Sequence, residues 1–111
     1  MTGPEQQARA LQRVVHKIAL PDDIVNDAES TKVELPEDAE IIHFGFQRAT
    51  FCIWYVTQRV PSGRLKRVRF VLRGTGHPLP LETVDLYQHV GSCFTDQVGT
   101  YVFHLFRLDE V

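Results

Sequence analysis

The sequence predicts an all-β protein, a small antiparallel sandwich or partly open barrel of about six to seven strands. Three observations support this fold class: short segments rich in β-branched and aromatic residues follow one another regularly, several of them alternate between apolar and polar residues, and Gly, Pro, Asp or Asn residues separate them. No segment shows the apolar spacing of a confident helix. A chain of 111 residues with 43% hydrophobic content suits one domain.

We divide the chain into an N-terminal tail, residues 1–11, and a single β domain, residues 12–111. The tail is polar and contains Gly3-Pro4. Such a composition predicts a flexible segment or one short helical turn.

Three strands are expected in the first half of the domain. The first covers residues 12–20 and ends at Pro21, and the second covers residues 31–35 and ends before Pro36. The third covers residues 40–47, where apolar side chains recur at every second position. This alternation predicts one shared face for three of them: Ile42, Phe44 and Phe46.

The remaining strands follow at similar spacing. Residues 51–56 are apolar on both faces, which predicts a central strand. A turn at Pro61-Ser62-Gly63 leads to a strand at residues 66–73, whose apolar face opposes a cationic face formed by Arg67, Arg69 and Arg73. Residues 86–95 and 100–108 then form a C-terminal hairpin. The order of these strands along the chain predicts a meander.

Charge is distributed unevenly along the chain, although the net charge is only -2. Residues 1–40 hold nine acids and four bases, residues 41–81 hold seven bases and no acid, and residues 82–111 hold five acids and one base. A basic segment between acidic neighbours favours neutralisation within the fold or across a subunit interface. It also allows an anion-binding surface, while the near-neutral pI makes nucleic acid a less favoured partner.

The candidate ligand-binding site is the segment Arg73-Gly74-Thr75-Gly76-His77-Pro78, with Arg67 and Arg69 of the strand before it. Two glycines one residue apart can expose backbone N–H groups, while Thr75, His77 and the arginines add a hydroxyl, an imidazole and positive charge. The segment lacks the GxxxxGK[ST] pattern of a nucleotide P-loop. A structural interpretation, in which the glycines permit a tight reversal, is favoured over the functional one.

The cysteines and histidines predict neither a metal site nor a cofactor. Cys52 and Cys93 lie in apolar strand segments, where a free thiol behaves as a small buried hydrophobe, and they lack C-x-x-C spacing. An antiparallel sheet could bring His43 and His104 together, but two histidines in apolar strands are more often satisfied core residues.

No catalytic constellation is evident, so the sequence predicts a protein that is not an enzyme. Ser62 and Ser92 lack the G-x-S-x-G context of a nucleophilic serine. Cys93 and His89 would point to one face of a strand with about 13 Å between their Cα atoms, so contact between them needs a bulge.

Several segments resemble a family of small uncharacterised proteins from actinobacterial phages and related bacteria. The likeness covers roughly residues 14–107, and its most specific segments are Gly74-Thr75-Gly76-His77-Pro78 and Val102-Phe103-His104-Leu105-Phe106. Further landmarks are His16-Lys17-Ile18-Ala19-Leu20-Pro21, Leu35-Pro36 with Ala39, Ile41-Ile42-His43-Phe44, Trp54 and Val90-Gly91. The resemblance implies a compact β fold and a phage-related origin, and it implies no activity, substrate or catalytic residue.

The leading functional hypothesis is a small phage-type accessory module that binds a host or phage protein, or that forms a homo-oligomer. The alternative is a binder of a small anionic or nucleotide ligand at the turn and the arginine face. Nucleic-acid binding through the same arginines is less favoured, with aromatic side chains for stacking at Phe51, Trp54 or Tyr55.

The sequence also bears on location. No apolar run approaches the roughly 20 residues that span a membrane, and residues 1–11 do not resemble a signal peptide. We therefore expect a soluble protein without membrane association and a cytoplasmic location, which is the host cytoplasm if the protein is phage-encoded.

Overall fold

The computed structural model describes residues 12–25, 30–60, 62–79, 86–96 and 101–109. These residues form seven strands and one short 3-10 helix, Asp22–Val25. The strands are β1 (Arg13–Ala19), β2 (Thr31–Pro36), β3 (Glu40–Gln47), β4 (Thr50–Gln58), β5 (Leu65–Gly74), β6 (Gln88–Phe94) and β7 (Val102–Asp109). The predicted all-β class is confirmed, while the expectation for the tail, residues 1–11, lies outside the described residues.

The strands form two antiparallel sheets that face each other as a sandwich and do not close into a barrel. One sheet has three strands in the order β1-β4-β3, and the other has four in the order β2-β5-β7-β6. The predicted meander is wrong, because β1 pairs with β4 and β2 pairs with β5 instead of each pairing with the next strand. The predicted central position of the fourth strand and the C-terminal hairpin of β6 and β7 are both present.

The core lies between the sheets and is built from the alternating apolar residues of both. Strand β5 buries Val68, Phe70 and Leu72 on one face, as its sequence pattern predicts. The rings of Phe51 and Phe103, one from each sheet, meet with 5.0 Å between their centroids. Large apolar side chains contribute roughly 1.5–3 kcal/mol each when fully buried, so this layer holds the sheets together.

The prediction that Ile42 shares a face with Phe44 and Phe46 is wrong, because β3 contains a bulge. The register between β3 and β4 shifts between Ile41 and His43, so that Ile42 is the extra residue. Ile42 is therefore 56% exposed, and Ile41 packs against the core in its place. Phe44 is buried and Phe46 contacts the core, as the alternation predicts.

The part of the chain that the structure describes contains no helix with the length and apolarity needed to cross a membrane.

Candidate functional site

The face of the four-stranded sheet that points away from the core, here called the outer face, carries the candidate site. Its side chains lie in rows, because opposite residues of antiparallel strands point to the same side. One row consists of Arg73 on β5, His104 on β7 and Ser92 on β6. The next row, nearer the turn after β5, contains Val102 paired with Phe94, and the backbone N–H of Thr75 bonds the carbonyl of Val102 at 2.9 Å.

Four polar side chains of these strands form a continuous hydrogen-bonded chain. The Nε2 atom of His104 lies 2.8 Å from Thr75 Oγ1, and its Nδ1 atom lies 2.6 Å from Ser92 Oγ. Ser92 Oγ also lies 3.1 Å from His89 Nε2. We call Arg73, Thr75, Ser92 and His104 the corner site. His89 lies at its border and is hydrogen-bonded to Ser92.

One assignment of protons satisfies every bond in this chain. The Thr75 hydroxyl donates to the carbonyl of Val102 at 3.4 Å, so its oxygen accepts a hydrogen bond from the N–H at Nε2 of His104. The Nδ1 atom of His104 then accepts from the Ser92 hydroxyl, whose oxygen accepts from His89 Nε2. Neutral imidazole has one donor and one acceptor nitrogen, as this arrangement requires.

A bulge in β6 brings Ser92 into the corner site. The register between β6 and β7 shifts between His89 and Gly91, which places Ser92 on the face of His89 and turns Cys93 toward the core. The sequence pattern predicts that Cys93 and His89 point to one face of the strand without contact, and the shared face is wrong because the extra residue reverses the alternation. Burial raises the pKa of the Cys93 thiol to about 11, which is opposite to the shift an activated thiol shows.

The turn after β5 positions Thr75. The N–H of His77 donates to the carbonyl of Gly74 at 3.0 Å, and Gly76 has a φ of 89°, a conformation that side chains disfavour. A Cβ at Gly74 would lie 3.0 Å from the His77 ring and 3.6 Å from the Phe103 ring, which is on the core side of the sheet. The predicted site residues of the turn are thus divided: Thr75 faces the corner site, while His77 packs over Gly74 on the other face.

Arg73 supplies the positive charge of the corner site. Its Nε atom donates to the carbonyl of Pro78 at 3.2 Å, and its Nη1 atom donates to the carbonyl of Leu72 at 2.8 Å. These two bonds hold the guanidinium against the backbone of β5 and of the segment that follows the turn, and the Cα atom of Arg73 is paired with that of His104 across the sheet.

Arg67 and Arg69 lie farther along the outer face. Val71, which is only 4% exposed, lies between them and Arg73, and four residues of strand span about 13 Å from Arg69 to Arg73. Arg67 lies 3.9 Å from Glu34, its partner on β2, and Arg69 is opposite Lys32. The predicted arginine face therefore consists of two parts, the corner site and a basic flank of Lys32, Arg67 and Arg69.

The other predicted candidates lie away from the corner site. His43 belongs to the three-stranded sheet, where its ring packs against Trp54, so His43 and His104 are not brought together. Phe51 is buried, and Tyr55 stacks on His16 in the same sheet. Among the described residues no group of three potential metal ligands occurs.

A hollow of about 110 Å³ lies at the other sheet, below the roughly 300 Å³ of an ordinary ligand pocket. Its lining is mainly apolar, and Asp22 is the one charged residue among the described residues that form it. The hollow offers little to a polar ligand, so the corner site is the better candidate.

Sequence reasoning identified Arg73 and Thr75 but not the two residues that join them. The sequence context of Ser92 argues against a nucleophilic serine, and the apolar surroundings of His104 suggest a core residue or, less favoured, a metal ligand. The pairing of β6 with β7 could have suggested their contact, since the two segments were predicted to form a hairpin. The position of the bulge decides which residues meet, and no residue pattern marks it.

Comparison with known proteins gives one result. A family model described as a domain of unknown function, DUF7352, matches residues 11–111. No curated protein and no solved structure matches the chain significantly.

Proposed function

The chain belongs to the DUF7352 family of domains of unknown function, and because that description names no activity, we propose a function from the geometry. The protein is a small binding module that holds an anionic group, a phosphate or a carboxylate, at the corner site. The observation that carries this proposal is the row in which Arg73 is paired with His104 and His104 with Ser92, beside the Thr75 hydroxyl that His104 also contacts.

The proposal assigns binding without catalysis. Ser92 is hydrogen-bonded to His104, which is hydrogen-bonded to a third group, and this order resembles a catalytic triad. Here, however, the third group is the Thr75 hydroxyl instead of a carboxylate. A hydroxyl does not stabilise an imidazolium as a buried carboxylate does. Hydrolysis of p-nitrophenyl acetate should be equal for the wild type and for S92A, and a large loss in S92A would show that Ser92 is a nucleophile.

Inorganic phosphate is the first probe for the binding function. The midpoint temperature of thermal denaturation should rise with phosphate concentration, and isothermal titration calorimetry should give a binding curve that saturates. R73A should weaken that affinity roughly 10- to 100-fold, as expected for a hydrogen bond to a charged group. R67A is the matched control, because Arg67 lies on the same strand and face but in the basic flank.

The results separate a built site from general positive charge. An equal loss in R73A and R67A would contradict the corner site and indicate diffuse electrostatic attraction. An absence of stabilisation by phosphate, sulfate and small carboxylates would contradict anion binding altogether. Circular dichroism of R73A checks that the turn still folds, since Arg73 also bonds two carbonyls.

A second candidate function is self-association through β1. This strand is at the edge of its sheet, and its Val15 is 59% exposed beside Val56, its partner on β4. An edge strand offers unpaired backbone groups to a second copy of the chain. Sedimentation analysis should show a dimer that V15K dissociates, and a wild type that stays monomeric at high micromolar concentration would contradict it.

The narrower role, a phage accessory module acting on a host or phage protein, is part of this proposal. Its support is the likeness of the turn and β7 segments to proteins of actinobacterial phages. An anion-binding corner fits such a module, because it can hold a phosphorylated or acidic ligand within one small domain.

A further inference from the structure

Phe94 is an aromatic side chain in an exposed position at the border of the corner site. It is the last residue of β6, it is 57% exposed, and it points to the outer face because it pairs with Val102. Ser92, two positions earlier, points to the same side. The ring therefore lies next to the hydroxyl and imidazole groups proposed to hold an anion.

The distance from the anion to this ring suits one particular kind of ligand. Thr75, Val102 and Phe94 form a row across β5, β7 and β6, so two strand spacings of about 4.8 Å separate Thr75 from Phe94. A phosphate near Arg73 and Thr75 would thus be about one sugar away from an aromatic group over Phe94. Val102, which is half-buried, forms an apolar floor between the two ends.

We infer that the anion is the phosphate of a nucleotide whose base stacks on the Phe94 ring. This inference rests on the proposed anion-binding function and adds the chemical class of the ligand. Stacking on an aromatic side chain accepts any base, because every base has a π face. A purine and a pyrimidine nucleotide should therefore bind with similar affinity.

The same face argues for a single nucleotide over a longer strand. The basic flank begins about 13 Å beyond Arg73, the buried Val71 lies between, and Glu34 lies 3.9 Å from Arg67. A strand that continued across the sheet would approach this carboxylate. The corner site and Phe94 together match the size of one nucleotide.

Titration calorimetry with three ligands tests the inference: AMP, ribose 5-phosphate and adenosine. AMP should bind roughly 5- to 100-fold more tightly than ribose 5-phosphate, which is the gain expected from one stacked base. In F94A this advantage should disappear, so that AMP and ribose 5-phosphate bind alike. F94W should keep it, and L86A should not affect it, because Leu86 is similarly exposed but precedes the other end of β6.

The outcomes distinguish this inference from the proposed function. Equal affinities of AMP and ribose 5-phosphate in the wild type, with dependence on Arg73 retained, would overturn the nucleotide assignment and leave anion binding intact. An AMP advantage that survives in F94A would also overturn it, because the base would then lie elsewhere. Binding of neither phosphate ligand would overturn both.

Discussion

At the scale of single residues, the two cysteines show how position determines chemistry. Cys52 is buried and hydrogen-bonds the carbonyl of Thr50, and Cys93 packs against the core from β6. Both agree with the interpretation of the sequence as apolar strand residues. Cys93 lies one residue from Ser92, yet a change of face gives the two side chains opposite environments.

Cys93 should be a slow nucleophile in the native protein. Burial raises the pKa of its thiol from 9.0 to about 11, so the reactive thiolate is scarce at neutral pH. The folded state favours the protonated thiol over the thiolate. The contribution of Cys93 to stability is therefore complete below pH 9, and it is lost as the pH rises toward 11.

Iodoacetamide labelling of a C52S variant measures this directly. The native rate should rise with pH up to about 11, whereas the guanidinium-unfolded chain should follow the ordinary thiol value of 9.0. Native labelling that titrates at the same pH as the unfolded chain would contradict the buried position of Cys93.

At the scale of elements, the strands could be predicted because alternation and turn residues are local signals. Strand β5 shows this, since the alternating positions Val68, Phe70 and Leu72 are all buried. The bulges could not be predicted, because they depend on how a strand fits its partner. One bulge exposes Ile42, and the other places Ser92 on the same face as His89. The candidate site could therefore be predicted only in part from the sequence.

The hairpin between β3 and β4 contains a strained turn. Arg48 and Ala49 form a two-residue loop between the paired Gln47 and Thr50, and their φ angles are 53° and 61°. Two positive φ values are typical of a type I′ turn, which favours Asn-Gly. An L-residue in this conformation costs roughly 1–2 kcal/mol. The turn could not be predicted from the sequence, because both residues are atypical for it.

Replacing the turn with its preferred residues should stabilise the protein. The double variant R48N/A49G should raise the free energy of unfolding by about 1 kcal/mol, after the entropy cost of glycine is subtracted. Urea denaturation measures the change, and A49G alone should give part of it. A loss of stability in the double variant would show that the native turn has a favourable interaction that outweighs its strain.

At the scale of the whole molecule, the order of strands was the hardest feature to predict. The sequence suggested a meander, but β1 reaches β4 and β2 reaches β5 across intervening strands. Such pairings depend on contacts distant in sequence, which local patterns do not encode. The sandwich follows once both sheets bury their apolar faces against each other.

Two phenylalanines should show the separation between core and outer face. Phe70 is fully buried, and F70A should lower the free energy of unfolding by about 3–5 kcal/mol. Phe94 is 57% exposed, and F94A should change it by less than about 0.5 kcal/mol. Chemical denaturation compares them, and a large loss in F94A would mean that its ring packs within the fold instead of facing a ligand.

The central claim is that an anion binds at the corner site and not across the whole basic surface. An NMR titration of the labelled protein with inorganic phosphate tests it most directly. We predict saturable shifts confined to the amides of Arg73, Thr75, Ser92 and His104, which are lost in R73A and retained in R67A. Shifts that centre on the basic flank of Lys32, Arg67 and Arg69, or that fail to saturate, would contradict the claim.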